Sequence, residues 1–265
     1  MRILDRNNVR VIGAANGPAL MFAHGFGCDQ NMWRLVTPAF EREYRIVLFD
    51  YVGHGGSSRA EYEPKRYATL EGYSRDILEI CAELSLTDVT LVGHSVSGMV
   101  GVLAAIAEPT RFKRLVLVAP SPSYINDGEY KGGFAREDIL GLLEMLDSNY
   151  LGWAGSMAPV IMANADRPEL AQELENSFCR TDPEIAKQFA HVTFLSDHRN
   201  DLPKTPVPAL IIQVTHDAIA PVSVGEYMRD HMPRSKLAMI DTHGHCPHLS
   251  APAATIDAIR QFLAS

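Results

Sequence analysis

Apolar and polar positions along the chain fall into two alternating patterns, short continuous apolar runs and longer stretches with a single apolar face. The runs Val9–Ile12, Ala19–Ala23, Arg45–Phe49, Val89–Val92, Arg114–Val118, Val207–Val214 and Leu237–Ile240 are of strand length. Helical periodicity fills the gaps between most of them. Leu70–Leu84 carries Tyr73, Ile77, Ile80 and Leu84 on one face, Val96–Ala107 reads as a helix of small residues, and Val222–His231 and Ala253–Leu263 follow. Trp33–Phe40, apolar at Trp33, Val36 and Phe40, reads as a short helix. The turn signal Asn16–Gly17–Pro18 makes the first two strands an expected antiparallel edge.

The alternation breaks once. Between Ser123 and about Leu202 only helical patterns occur. Ile139, Leu142, Leu143 and Leu146 form one face, Leu170, Leu174 and Phe178 another, and Ile185, Phe189 and Val192 a third. Patterns resembling capping boxes open the last two, at Asp166–Glu169 and Thr181–Glu184. A segment of roughly four helices is too small to hold its own core and is expected to lie over something else. The expected architecture is α/β, a mainly parallel sheet covered on both sides. Residues 1–122 and 203–265 form its core, and the helical insertion occupies 123–202.

Composition narrows the function more than the fold. The 265 residues, 46% of them apolar, suffice for one large core. A net charge of −8 leaves no basic stripe for nucleic acid. No apolar run has signal-peptide or membrane-span length. Cys28, Cys81, Cys179 and Cys246 lie far apart without a CxxC pair, which argues against zinc or a disulfide framework. A cytoplasmic protein with reduced thiols is the expectation.

In a parallel sheet the loops after the strands converge on one edge, where ligands bind. Those loops supply His24, Gly25 and Phe26, then Ser95, then His216 and Asp217, then Asp241, His243, His245 and His248. Ser95 stands where the strand Val89–Val92 turns tightly into the helix from Val96, the position of an exposed nucleophile. A serine nucleophile needs a base, and the base needs an acid to fix its tautomer. Asp217 is the favoured acid, with Asp241 the alternative. His245 is the favoured base because Gly244 frees the loop to turn back, with His243 and His248 the alternatives. The backbone N–H groups of Val96 and Phe26 are the candidate donors to an oxyanion. His94 is read as hydrogen-bonding behind the site. Gly53–Gly56 lacks the lysine and the following helix of a phosphate loop. Neither a metal nor a cofactor is expected.

These motifs resemble the α/β-hydrolases of the subgroup that holds the bacterial stress-response regulator RsbQ and the plant strigolactone and karrikin receptors. The resemblance runs along essentially the whole chain. It rests on Phe22–Gln30 (FAHGFGCDQ), Gly93–Ser97 (GHSVS), Gly132–Phe134 (GGF), Phe178–Pro183 (FCRTDP), Phe194–Arg199 (FLSDHR) and Gly244–Ser250 (GHCPHLS). The cysteine-containing loops and Asp50–Gly53 are closer to the RsbQ side. The resemblance implies an α/β-hydrolase fold with a mainly parallel sheet of the eight-stranded type. It also implies a Ser95–Asp217–His245 triad, oxyanion donors at Phe26 and Val96, and a four-helix lid over an apolar pocket. Matching pocket positions are Phe134, Leu142, Trp153, Met157 and Phe194, with Ile219 beside the acid, whereas Phe178 and Phe189 read as lid core. Ser97 departs from the glycine usual at the end of the nucleophile motif. The implied activity is hydrolysis of a small hydrophobic ester or lactone through an acyl-enzyme, in an RsbQ-like signalling role. The alternative is a receptor that binds such a ligand and presents its lid to a PAS-domain phosphatase.

Overall fold

The computed structural model describes residues 1–265. A short helix α1 (Ile3–Arg6) leads into β1 (Arg10–Gly13), β2 (Ala19–Ala23) and β3 (Arg45–Leu48). Then come α2 (Leu70–Glu83), β4 (Val89–His94), α3 (Val96–Ala107) and β5 (Phe112–Val118). After the insertion follow β6 (Ala209–His216) and α8 (Val222–His231), then β7 (Ser235–His243), α9 (Pro247–Ser250) and α10 (Pro252–Leu263). The insertion itself consists of α4 (Arg136–Ser148), α5 (Tyr150–Met162), α6 (Pro168–Arg180) and α7 (Pro183–Phe194).

The sheet has seven strands in the order β1-β3-β2-β4-β5-β6-β7, matching the seven apolar runs and one fewer than the eight-stranded type. All neighbours are parallel except β1 and β3. The expected edge is therefore corrected, since β1 pairs with β3 rather than with β2. Burial explains why. Every residue of β2 is buried and apolar on both faces, so it lies inside the sheet, whereas β1 is largely exposed.

Period-two alternation divides the strands between two cores. Met21, Val47, Leu91, Leu115 and Ile211 face α2, α3 and the insertion. Leu20, Ile46, Val92, Val116 and Ile212 face Trp33, Phe40 and the Ile259 and Phe262 side of α10. Trp33–Phe40 is not one helix. Two 3-10 turns, Gln30–Trp33 and Thr37–Ala39, take its place, with Pro38 starting the second. The caps of α6 and α7 also sit one residue later than the patterns suggest, at Arg167 and Asp182, each followed by proline at the first helical position. Asp182 caps α7 through its side chain, while Arg167 caps α6 with none.

Candidate active site

The carboxyl ends of β2, β4, β6 and β7 bring the candidate residues to one edge. Ser95 has φ 56° and ψ −125°, a left-handed conformation rare outside glycine. Its N–H is held by the Val118 carbonyl at 2.8 Å, so β5 fixes the turn. The strain points the hydroxyl away from the sheet, and strain of this kind persists only where the surroundings enforce it.

Ser95 Oγ lies 2.7 Å from His245 Nε2, and His245 Nδ1 lies 2.7 Å from Asp217 Oδ2. The carboxylate only accepts, so Nδ1 carries the proton and Nε2 is left to accept from the serine. Asp217 follows directly after β6. Its other oxygen accepts from the N–H groups of Ile219 at 2.8 Å and Ala220 at 3.1 Å, which fixes the carboxylate from its own loop. The alternatives separate cleanly. Asp241 is exposed and accepts from Thr215 Oγ1 at 3.0 Å. His243 is exposed and stacks on His216 at 4.4 Å. His248 is fully buried between Trp33 and His94, with neither ring nitrogen bonded.

The loop after β2 comes against the elbow at Gly25, where a Cβ would stand 2.5 Å from His94 Nδ1 and 3.2 Å from Ser95 Cβ. The N–H of Phe26 has no hydrogen-bond partner within the chain. Val96 opens α3, where the first N–H groups have no intrahelical acceptor. Ser97 links the two segments. Its hydroxyl donates to the His24 carbonyl at 2.5 Å and accepts from Tyr51 at 2.8 Å. The serine that replaces glycine here thus ties the elbow to the loop carrying Phe26.

His94 lies behind the site as expected, donating from Nε2 to the His245 carbonyl at 2.9 Å. Burial, then the neighbouring His248 and His245, hold it neutral far below the ordinary histidine range. Burial and His245 bring His248 down to about 3. Burial pushes the Cys28 and Cys246 thiols well up, which leaves them unreactive. Ligand atoms of His94, Cys246 and His248 lie within 4.8 Å of one another. A metal bound through Nε2 of His94 would cost the hydrogen bond that this atom makes to His245.

A cavity of about 30 Å³ adjoins Ser95. Phe194 and Ile219 line it, as expected; Phe134, Leu142, Trp153 and Met157 do not. Trp153 stands one layer back, packed on Phe178 at 5.3 Å and edge-on to Phe26 at 5.9 Å. Phe134, Leu142 and Met157 are partly buried against the core. Phe178 is buried in the core as read, and it also faces the cavity with Leu174, one turn earlier on α6. Phe189 does pack inward, stacking on Tyr73 at 4.3 Å. Sequence reasoning missed Tyr124, whose buried hydroxyl lies 3.5 Å from Ser95 Oγ, along with Cys28, Ile161 and Thr193. The stripe Leu170, Leu174, Phe178 was a usable signal for α6; nothing local marked Tyr124.

Residues 20–258 match the model of the Alpha/beta hydrolase family. A strigolactone esterase of Pisum sativum is 40% identical over 253 residues, 95% of this chain and 94% of that protein. A karrikin insensitive 2 receptor of Petunia hybrida is 37% identical over 253 residues, 95% of this chain and 93% of that protein. The solved structure of a hydrolase from Oleispira antarctica superposes with a TM-score of 0.96 at 40% identity, covering 99% of this chain and 96% of that one.

Proposed function

The chain belongs to the alpha/beta hydrolase family, and from that premise we propose that it is a serine hydrolase of small hydrophobic esters or lactones. What carries the reading is the hydrogen-bonded line from Asp217 through His245 to Ser95, ending beside an apolar cavity. Ser95 Oγ attacks the substrate carbonyl while its proton passes to His245 Nε2. The resulting imidazolium is stabilised by Asp217, and the tetrahedral oxyanion is held by the N–H groups of Phe26 and Val96. Collapse expels the alcohol, which takes the proton from His245 and leaves Ser95 acylated. Water, deprotonated by His245, then attacks the acyl group and frees the serine. Residues 123–202 act as a lid over this site, and residues 1–122 and 203–265 as the hydrolase core. Phe194 and Ile219 contact the substrate. A fluorophosphonate probe tests the assignment. Intact-protein mass should show one adduct on the wild type and none on Ser95→Ala, and an equal adduct on both would sink it.

A second reading concerns purpose. The insertion exposes the apolar side chains Leu140, Met145, Leu151 and Val160 on α4 and α5. In an RsbQ-like role in the cytoplasm the helical insertion meets a PAS-domain phosphatase, and slow turnover serves the signal. Pull-down of such a phosphatase by the wild type and its loss in Leu151→Asp is the expected result; equal capture by both removes this reading. No helix is long and apolar enough to cross a membrane.

A further inference from the structure

The segment His243–Ser250, which carries His245, is gripped by the connection between α5 and α6. Ala163, at φ 48°, ends α5 in a left-handed cap and leaves the last carbonyls of the helix pointing out of it. The Ile161 carbonyl accepts from the N–H of His245 itself at 2.8 Å. The Met162 carbonyl packs so closely on Gly244 that a Cβ there would lie 1.9 Å from it, and Gly244 is also at φ +87°. Two side chains complete the grip. Asn164 Nδ2 donates to the His243 carbonyl at 3.1 Å, and Arg167 Nη1 donates to the Ser250 carbonyl at 2.9 Å. Asn164 Oδ1 accepts from Arg167 Nη2, so the two act together. The core holds the same segment as well, through the His216 carbonyl on Gly244 N–H, His94 on the His245 carbonyl, Asp217 and Ser95 on the His245 ring, and Trp33 against His248, but the His245 N–H itself is taken by α5.

We propose that the α5–α6 connection sets the position of the His245 ring, with Asn164 and Arg167 as positioning residues. The proposal rests on the reading of His245 as the base of Ser95. It makes the placement of the helical insertion and the competence of the base a single variable. When α5 moves outward, the His245 backbone goes with it and Nε2 leaves the serine. An anchor that only stabilises the loop would lower the unfolding temperature and leave the folded enzyme's rate alone. A positioning element changes the rate constant of the chemical step, where a displacement of about 1 Å costs around a hundredfold.

The experiment compares the full-length wild type, Asn164→Ala, Arg167→Ala, Arg167→Lys, Glu169→Ala and Ser95→Ala with p-nitrophenyl acetate, over a pH series. Asn164→Ala and Arg167→Ala are expected to lower kcat about tenfold at unchanged KM. The rate of fluorophosphonate labelling should fall in the same ratio, and the acidic limb of the kcat/KM profile should shift. Arg167→Lys, which keeps a donor for the Ser250 carbonyl, should recover part of the loss. Glu169→Ala, on the exposed first turn of α6, should match the wild type. Wild-type kcat and pH profile in both alanine variants, with Ser95→Ala inactive, overturns the proposal and leaves the triad standing. An active Ser95→Ala overturns both. Should Asn164→Ala reduce the folded fraction, the Arg167 pair alone decides, since its side chain acts outside the cap of α5.

Discussion

Ser95 and His245 meet at 2.7 Å, yet they are held by different parts of the molecule. The backbone of Ser95 belongs wholly to the frame. Its N–H bonds to β5, its turn joins a six-residue strand to a buried helix, and Ser97 beside it is tied to the loop after β2. His245 is held by the frame through Asp217 on its ring and His94 on its carbonyl, and by α5 through Ile161 on its N–H. Ser95 is therefore fixed by residues that cannot move without breaking the core. His245 is fixed partly by residues of the helical insertion. On the reading of these two as nucleophile and base, such a protein can lose its base without losing its fold.

The largest effect expected from this contrast is on the frame side. Ser95→Ala should lower kcat by more than ~10⁴-fold, the scale seen when a nucleophile is removed from such a triad. Its unfolding temperature should not fall, because alanine deletes only a hydroxyl; a drop of several degrees would mean that the serine is structural.

The frame also carries the acid sensitivity. Burial holds His54 and His248 neutral, with pKa values of about 3 against the ordinary 6.5. Below pH 6.5 the unfolded chain takes up protons that the folded chain refuses, so stability is complete above that value and falls toward pH 3. Each group contributes a slope of about 1.4 kcal/mol per pH unit. Urea unfolding should therefore show a loss of about 4 kcal/mol from these two rings between pH 7.5 and 5, with His94 adding to it in the same direction. A flat profile over that interval would mean that these buried rings titrate normally.

Gly244→Ala probes the shared loop. The added Cβ meets the Met162 carbonyl and the residue sits at positive φ, so the loop must shift. We expect kcat to fall about a hundredfold, with Ser95 and its turn unaltered in a crystal structure of the variant. Unchanged kcat would separate His245 from α5.

Smaller differences test the cavity wall. Phe194→Ala should raise KM for a hydrophobic ester about tenfold, the cost of about 1–3 kcal/mol of apolar contact, whereas Phe134→Ala should change it less than about threefold. The reverse ranking would restore the wall read from the sequence. Smallest is the outer ion pair, Arg34 to Glu173 at 2.5 Å between partly exposed side chains. Arg34→Ala should cost no more than about 1 kcal/mol in urea unfolding.

The frame was legible in the sequence because its signals are local. Seven apolar runs became seven strands, and Val96–Ala107 and Val222–His231 became helices with those same bounds. Ser95, Asp217 and His245 are legible as candidates because each lies just past a strand end, and strand ends share an edge, where the structure brings the three within hydrogen-bond reach. The cavity wall was less legible. Amphipathic stripes say which face of α5 or α6 is buried, not whether it is buried against other helices or against a cavity, and so Trp153 stands behind the cavity while Phe178, buried in the core, also faces it. The grip on His245 had no sequence signature, since two of its parts are main-chain carbonyls exposed by a left-handed alanine. The 3-10 turns around Trp33 failed for a plainer reason, as their apolar spacing satisfies a helix while Pro38 starts a new turn.

The cavity beside Ser95 has a consequence for timing. At about 30 Å³ it holds a water or two and no ester. On the proposed lid role of the insertion, a substrate is expected to enter only as α6 and α7 draw apart from the sheet. Occupancy is then governed by how often the door opens rather than by how often ligands knock. In stopped-flow mixing the observed rate of binding should climb with ligand concentration and level off at the opening frequency, and that plateau should be the same for ligands of different affinity.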